Sequence, residues 1–112
     1  MKIIKVVEAT ERQLDWLVAT CEGYDAAFTS AGDVIIFREE VTDYFDPHRN
    51  WGWIGPIIER EGISIYRMTS DWSAAYNPSG ATQDGPTPLI AAIRCYVSSC
   101  LGSECEVPDE LL

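Results

Sequence analysis

Residues 85–102 read GPTPLIAAIRCYVSSCLG, a block that specifies one helix together with both of its ends. Thr87 is an N-cap residue, Pro88 fits a first turn that needs no N–H, and Gly102 fits a left-handed exit. Leu89, Ile93, Tyr96 and Cys100 recur at helical spacing and form its core stripe. The entrance at Gly85, Pro86 and Thr87 leaves backbone N–H groups at a rigid mouth, where an acidic protein can hold an anion. The plainer reading is a core helix that binds nothing.

Upstream, Thr10 with Gln13 three residues on is a capping box, opening a helix that runs to about Glu22 and stops at Gly23. Leu14, Leu17, Val18 and Cys21 form its buried stripe. Trp16 points away from that stripe, beside Arg12, Ala19 and Thr20. Its ring either packs near Tyr24 or Phe28, or serves a subunit interface, or stacks on a planar ligand. Lys2–Val7 and Asp33–Phe37 read as strands, and Ile63–Arg67 with Asp71–Tyr76 as a hairpin turning at Thr69 and Ser70. The expectation is an α+β fold, a small antiparallel sheet of three to four strands packed with two helices at about 10–22 and 87–101.

Residues 38–55 mix Tyr44, Phe45, His48, Trp51 and Trp53 with acidic residues and glycines and show neither helix nor strand period, so a long aromatic loop is expected. Such a loop closes over a ligand, buries itself in a partner, or is held down by its own hydrophobic cluster. Gly55 and Pro56 then read as a turn that delivers Ile57 and Ile58 to the core and Arg60 to a fixed place. Arg60 and Arg94 are the candidate counter-charges for an anion, because a guanidinium fork matches phosphate or carboxylate. An ion pair with a neighbouring carboxylate is the competing use of each.

A length of 112 residues with 46% hydrophobic content fits a single domain spanning 1–112. No window approaches the roughly 18 apolar residues of a membrane span, and MKIIKVV precedes no cleavage site, so a soluble intracellular protein is expected. The four cysteines, Cys21, Cys95, Cys100 and Cys105, read as reduced thiols packed as small hydrophobes. A zinc site from the last three with His48 is disfavoured, because Cys95 and Cys100 point in different directions on one helix. A net charge of −10 from 18 acidic and 8 basic residues argues against nucleic-acid binding. Dispersed carboxylates, clustered only around residues 39–46 and at the C-terminal tail, disfavour DNA mimicry.

Three stretches resemble the NinX-like family of small phage proteins: LDWLVATCEG at 14–23, WGWIGPIIEREGI at 51–63, and the block 85–102 followed by EVP at 106–108. Residues 24–50 and 77–84 correspond less clearly. The resemblance implies an accessory protein of tailed enterobacterial phages acting in the host cytoplasm, with anti-defence as its class.

Catalytic signatures are missing: no G-x-S-x-G, no H-E-x-x-H, no Walker-type loop and a single histidine. Asp43, Asp46 and His48 could in principle hold a hard metal, but Asp-Pro-His is more simply a turn. The expectation is a non-enzymatic protein without cofactor or metal. In the first reading it sequesters a nucleotide-derived host signal: Gly85, Thr87, Arg60 and Arg94 take phosphate, and Trp51, Trp53 or Trp16 stacks on the base. In the second it docks an acidic, aromatic loop on a basic host protein. Exposed aromatics also favour a homo-oligomer.

Overall fold

A computed structural model of the chain describes residues 1–76 and 82–112. Its strands are β1 (Lys2–Lys5), β2 (Asp25–Phe28), β3 (Val34–Arg38), β4 (Val41–Tyr44), β5 (Ile63–Arg67), β6 (Trp72–Tyr76), β7 (Thr82–Gly85) and β8 (Glu104–Val107). The helices are α1 (Glu11–Glu22), α2 (Trp51–Glu61) and α3 (Pro88–Leu101). This is the expected α+β class, but the described strands form three small antiparallel sheets, β1-β8, β2-β3-β4 and β5-β6-β7, in place of one.

Helix α3 occupies the centre. Thr87 Oγ1 accepts the Ile90 N–H at 3.1 Å, as its capping role requires. Gly102 ends the helix at φ 96° and ψ 178°, a positive-φ extended conformation and not the left-handed helical exit expected. Residues Leu89 to Ile93 and Cys95 to Val97 are all buried, so the helix is apolar well beyond a single stripe. It packs against β5, β6 and β7, and also against α1, α2 and β8. Burying each of Leu89, Ile93 and Val97 contributes roughly 1.5–3 kcal/mol.

The α1 capping box forms in full, and Gln13 does double duty. Its Oε1 accepts the Thr10 N–H at 2.9 Å, while its Nε2 donates to the Leu111 carbonyl at 2.9 Å. A buried amide thereby ties α1 to the C-terminal turn. The β5–β6 hairpin is also as expected, with the Met68 N–H donating to the Asp71 carbonyl across Thr69 and Ser70.

Two expectations are overturned between residues 38 and 62. Residues 38–55 are not one loop: β4 pairs with β3 from Ile35↔Tyr44 to Arg38↔Val41, leaving Glu39 and Glu40 as a two-residue hairpin tip. Glu39 sits there at φ 56°, because such tips favour positive φ even without glycine. Gly55 and Pro56 make no turn either; they lie inside α2. Pro56 forfeits one helical hydrogen bond, but Gly55 has no Cβ to clash with the proline ring, so the residue before proline stays helical. Asn50 caps the helix by accepting the Gly52 N–H, Gly62 closes it at φ 69°, and Ile54 and Ile57 bury its inner face.

In the stretch 77–84, where the resemblance is less clear, residues 77–81 lie outside the described residues and 82–84 belong to β7. Gly85 ends that strand against α3, where an added Cβ would fall 2.7 Å from the Ala91 nitrogen. Gly85→Ala should therefore push β7 off the helix and cost about 1–3 kcal/mol, read as a lower midpoint in urea unfolding. Glu39→Gly should act the other way and add about 0.5–1 kcal/mol, because glycine adopts positive φ without the Cβ penalty.

Candidate functional site

A cleft of about 880 Å³ opens beside the start of α1. The first turns of α1 form one wall and the β2–β3 turn another, while the β4–α2 connection and the C-terminal turn close it. Glu11, Asp15, Asp33, Asp46 and Glu110 contribute carboxylates to its lining, against Arg12, Arg49 and His48.

His48 is held by α1. Its backbone N–H donates to Asp15 Oδ1 at 3.0 Å, its ring Nδ1 lies 2.6 Å from Asp15 Oδ2, and its Nε2 lies 3.3 Å from Glu11 Oε2. Glu11 and Asp15 are one helical turn apart, so two carboxyl groups of one helix face reach the same imidazole from opposite ring nitrogens. Pro47 is fully buried and the Arg49 N–H donates to the Asp46 carbonyl, which fixes the turn presenting His48. That is the turn expected of Asp-Pro-His.

Asp15 is only 2% exposed. Burial pushes its carboxyl up to about 7, while attraction and hydrogen bonds from His48 pull the other way and nearby Asp46 adds to the rise. Both arginines of the cleft are already paired. Arg12 donates to the Ala31 carbonyl at 2.7 Å and meets Asp33 at 3.1 Å, clamping the β2–β3 turn; Arg49 meets Asp46 at 2.8 Å. Asp43 pairs with Arg38, so Asp43, Asp46 and His48 each face a different partner, and among the described residues no cluster of His, Cys, Asp or Glu is arranged to hold a metal.

The residues singled out from the sequence are distributed elsewhere. Trp16 is half-buried, edge-on to Phe28 at 5.7 Å, which is the packing role it was offered. Trp53 is half-buried between Phe45 at 5.0 Å and the Arg38 guanidinium at 5.0 Å. Trp51 is 54% exposed at the start of α2. Arg60 lies at the other end of that helix, roughly 13 Å along the axis. Its fork is filled: two hydrogen bonds reach Glu22 at 3.0 and 2.8 Å, and Nε donates to Glu61 at 2.9 Å. Arg60 and the Tyr96 hydroxyl hold the Glu22 carboxyl below its ordinary value.

Gly85, Thr87 and Arg94 do come together at the start of α3. There Gly85 is covered by Ala91, Thr87 is spent on the Ile90 N–H, and Arg94 donates to the Asp84 carbonyl at 2.8 Å. Pro88 has no N–H to offer, and Arg94 Nε is buried without a hydrogen-bond partner among the described residues.

Beside the cleft, β3 and β4 carry exposed Phe37 and Tyr44 on one face, where Tyr44 lies opposite Ile35 and Phe37 opposite Thr42. Tyr44 also lines the cleft, which makes the acidic concavity and the aromatic hairpin one continuous surface.

The Asp15 carboxyl sets a pH dependence. Its folded value lies above its ordinary value of 3.8, so between about pH 4 and pH 7 the folded chain holds a proton that the unfolded chain has released. Through this group stability should fall as pH rises across that window, by at most about 1.4 kcal/mol per pH unit. Urea unfolding at pH 5 and pH 7.5 should show the loss in the parent chain and a flatter profile in Asp15→Asn. A parent chain that gains stability over that interval would contradict the assignment.

No curated protein matches the sequence. Residues 5–99 match the family described as "Bacteriophage P22, NinX", and with most of the chain covered, including the stretches 14–23 and 51–63 and the 85–99 part of the third, the protein belongs to that phage family.

Proposed function

We propose that this phage accessory protein is a non-enzymatic anti-defence protein of the host cytoplasm that acts by docking its acidic cleft, with the aromatic hairpin beside it, onto a basic surface of a host protein. The supporting observation is the balance of charge in the cleft: carboxylates from Glu11, Asp33, Asp46 and Glu110 surround Asp15 and His48, and both arginines present are neutralised inside the chain. A lysine or arginine entering the cleft gains several carboxylate partners, and exposed Phe37 and Tyr44 supply apolar area next to it. Self-association through the same surface would bring two chains of net charge −10 together, which favours a basic partner over a second copy.

Sequestration of a nucleotide-derived signal is the second reading. Two observations favour it, the exposed Trp51 ring and the unpaired Arg94 Nε near the start of α3. Against it, Arg60 would have to leave Glu22 and Glu61 to meet a phosphate.

Salt separates the two. Binding of a fluorescent arginine-rich peptide should weaken at least about tenfold between 50 and 500 mM salt, because docking between exposed charges is screened. Glu110→Lys and Tyr44→Ala should each weaken it several-fold at low salt, with unchanged circular dichroism. A panel of cyclic nucleotides should leave the melting midpoint where it is. A nucleotide that stabilises the chain by about 2.7 kcal/mol at 100 times its dissociation constant, insensitive to salt, would replace docking with sequestration.

A further inference from the structure

Strand β1 belongs to a two-stranded sheet, so one of its edges meets β8 and the other meets no described strand. The Val6 N–H donates to the Ser103 carbonyl at 2.9 Å, continuing the register that runs from Lys2↔Val107 to Lys5↔Glu104. Bonded and non-bonded pairs alternate along an antiparallel ladder, so Lys2, Ile4 and Val6 turn their backbone groups to β8 while Met1, Ile3 and Lys5 turn theirs away. The Lys5 carbonyl is the exception, because Lys5 caps the 3₁₀ turn Val6–Glu8 and its oxygen closes that turn. The groups left along the open edge are the Met1 C=O, the Ile3 N–H and C=O, and the Lys5 N–H. None of them bonds to another described residue.

The side chains along this edge are apolar and face solvent. Ile3 is 60% exposed and Met1 70%, and a groove of about 460 Å³ beside the strand is lined by Ile3, Ile4, Lys5, Glu8 and an exposed Leu112. Charge also sets the strand apart. In a chain of net charge −10 the two lysines, Lys2 and Lys5, both lie on β1, and no acid precedes Glu8. Among the described residues neither lysine is in an ion pair, and the acids Glu104 and Glu106 stand one strand behind, on β8.

We propose that β1 is a dimerisation edge: a second copy of this chain adds its own β1 antiparallel, about a twofold axis at Ile3, to make one four-stranded sheet in the order β8-β1-β1-β8. The open edge is its own complement. Its groups run acceptor, donor, acceptor, donor, so reversal about Ile3 brings the Ile3 N–H of each copy to the Ile3 C=O of the other, and each Lys5 N–H to a Met1 C=O. Every open group is used. Lysines on an edge strand ordinarily repel a second strand, but this register sets Ile3 against Ile3, Lys2 against Ile4 and Lys5 against Met1. No lysine faces a lysine. The lysines then lie on the two central strands with Glu104 and Glu106 on the outer ones, so two acidic chains meet through their cations and not through their carboxylates. A twofold contact closes on itself, so assembly stops at two chains. A single short strand pair is an interface at the small end, which makes the dimer dependent on concentration.

Sedimentation equilibrium of the full-length chain over about a hundredfold range of concentration tests this, since a small interface dissociates on dilution. The expected result is a mass that rises from one chain to two and no further. Ile3→Pro removes the donor at the axis without touching the β8 ladder, because that N–H points outward; it should keep the circular dichroism and stay monomeric throughout. Ile3→Cys supplies an independent readout if the proline disturbs the strand. Its two thiols face each other across the axis on Cα atoms about 5.5 Å apart, within disulfide reach, so mild oxidation should give a dimer that peptide mapping shows linked through position 3 of both copies. A parent chain that is monomeric over the whole range, growth beyond two chains, a dimer that persists in folded Ile3→Pro, or an oxidised Ile3→Cys chain without a link between the two positions 3 would overturn the proposal.

Discussion

The approach of Gly85 to the backbone of Ala91 sets the spacing on which the molecule is built. A strand that ends against the first turns of a helix, with no side chain between them, brings β7 down onto α3 and carries β6 and β5 with it. None of the three sheets is wide enough to bury a face by itself, so each depends on a helix for its apolar cover. For β5-β6-β7 that helix is α3. For β2-β3-β4 it is α1, which rests on α3 in turn. The cleft then lies on the side of α1 turned toward the β2–β3 turn and away from the central helix. Its Glu11 and Asp15 are positioned by a helix whose own place is set by the buried length of α3.

A polar chain runs through the junction of the helices. Glu22 closes α1, Arg60 and Glu61 close α2, and Tyr96 projects from α3, with the Tyr96 hydroxyl donating to Glu22 and the Tyr76 hydroxyl to Glu61. Burial and the adjacent carboxylates raise both phenols above their ordinary value. The chain joins elements that apolar packing alone would leave free to slide, because a guanidinium fork on a carboxylate fixes orientation as well as distance. That role explains why Arg60 sits at a defined place without being available to a ligand.

What could be read in the sequence were the features that repeat or punctuate locally. The capping box at Thr10 and Gln13, the cap at Thr87 and the apolar periods of α1 and α3 are written within a few residues of one another. Helix α2 was hidden because Gly55 and Pro56 are turn signals in isolation; its true markers were Asn50, Gly62 and the Ile54, Ile57 spacing. Strand β8 escaped because its partner β1 lies at the opposite end of the chain, and no period records a pairing. The Asp15–His48 contact is of the same kind. A signal for it did exist: Glu11 and Asp15 are acids one turn apart on a helix, with Asp15 beside the buried stripe, and a buried carboxyl needs a hydrogen-bond partner that only tertiary structure can deliver.

The same accounting bears on what the protein can bind. Its six arginines are Arg12, Arg38, Arg49, Arg60, Arg67 and Arg94. Four of them meet carboxylates, Arg94 meets a backbone carbonyl and Arg67 lies over the Trp72 ring at 5.4 Å. On the outward face of β1, Lys5 stands opposite Glu104. A chain with 18 acidic and 8 basic residues has thus used its cations to hold itself together, leaving an excess of carboxylate at the surface. An anion would have to compete with partners already in contact, at the cost of leaving those carboxylates unpaired. A cation entering the cleft would add to the partners that Asp33 and Asp46 already have, since each carboxylate oxygen can accept more than one hydrogen bond, and it finds those carboxylates fixed in advance by α1 and its neighbouring turns.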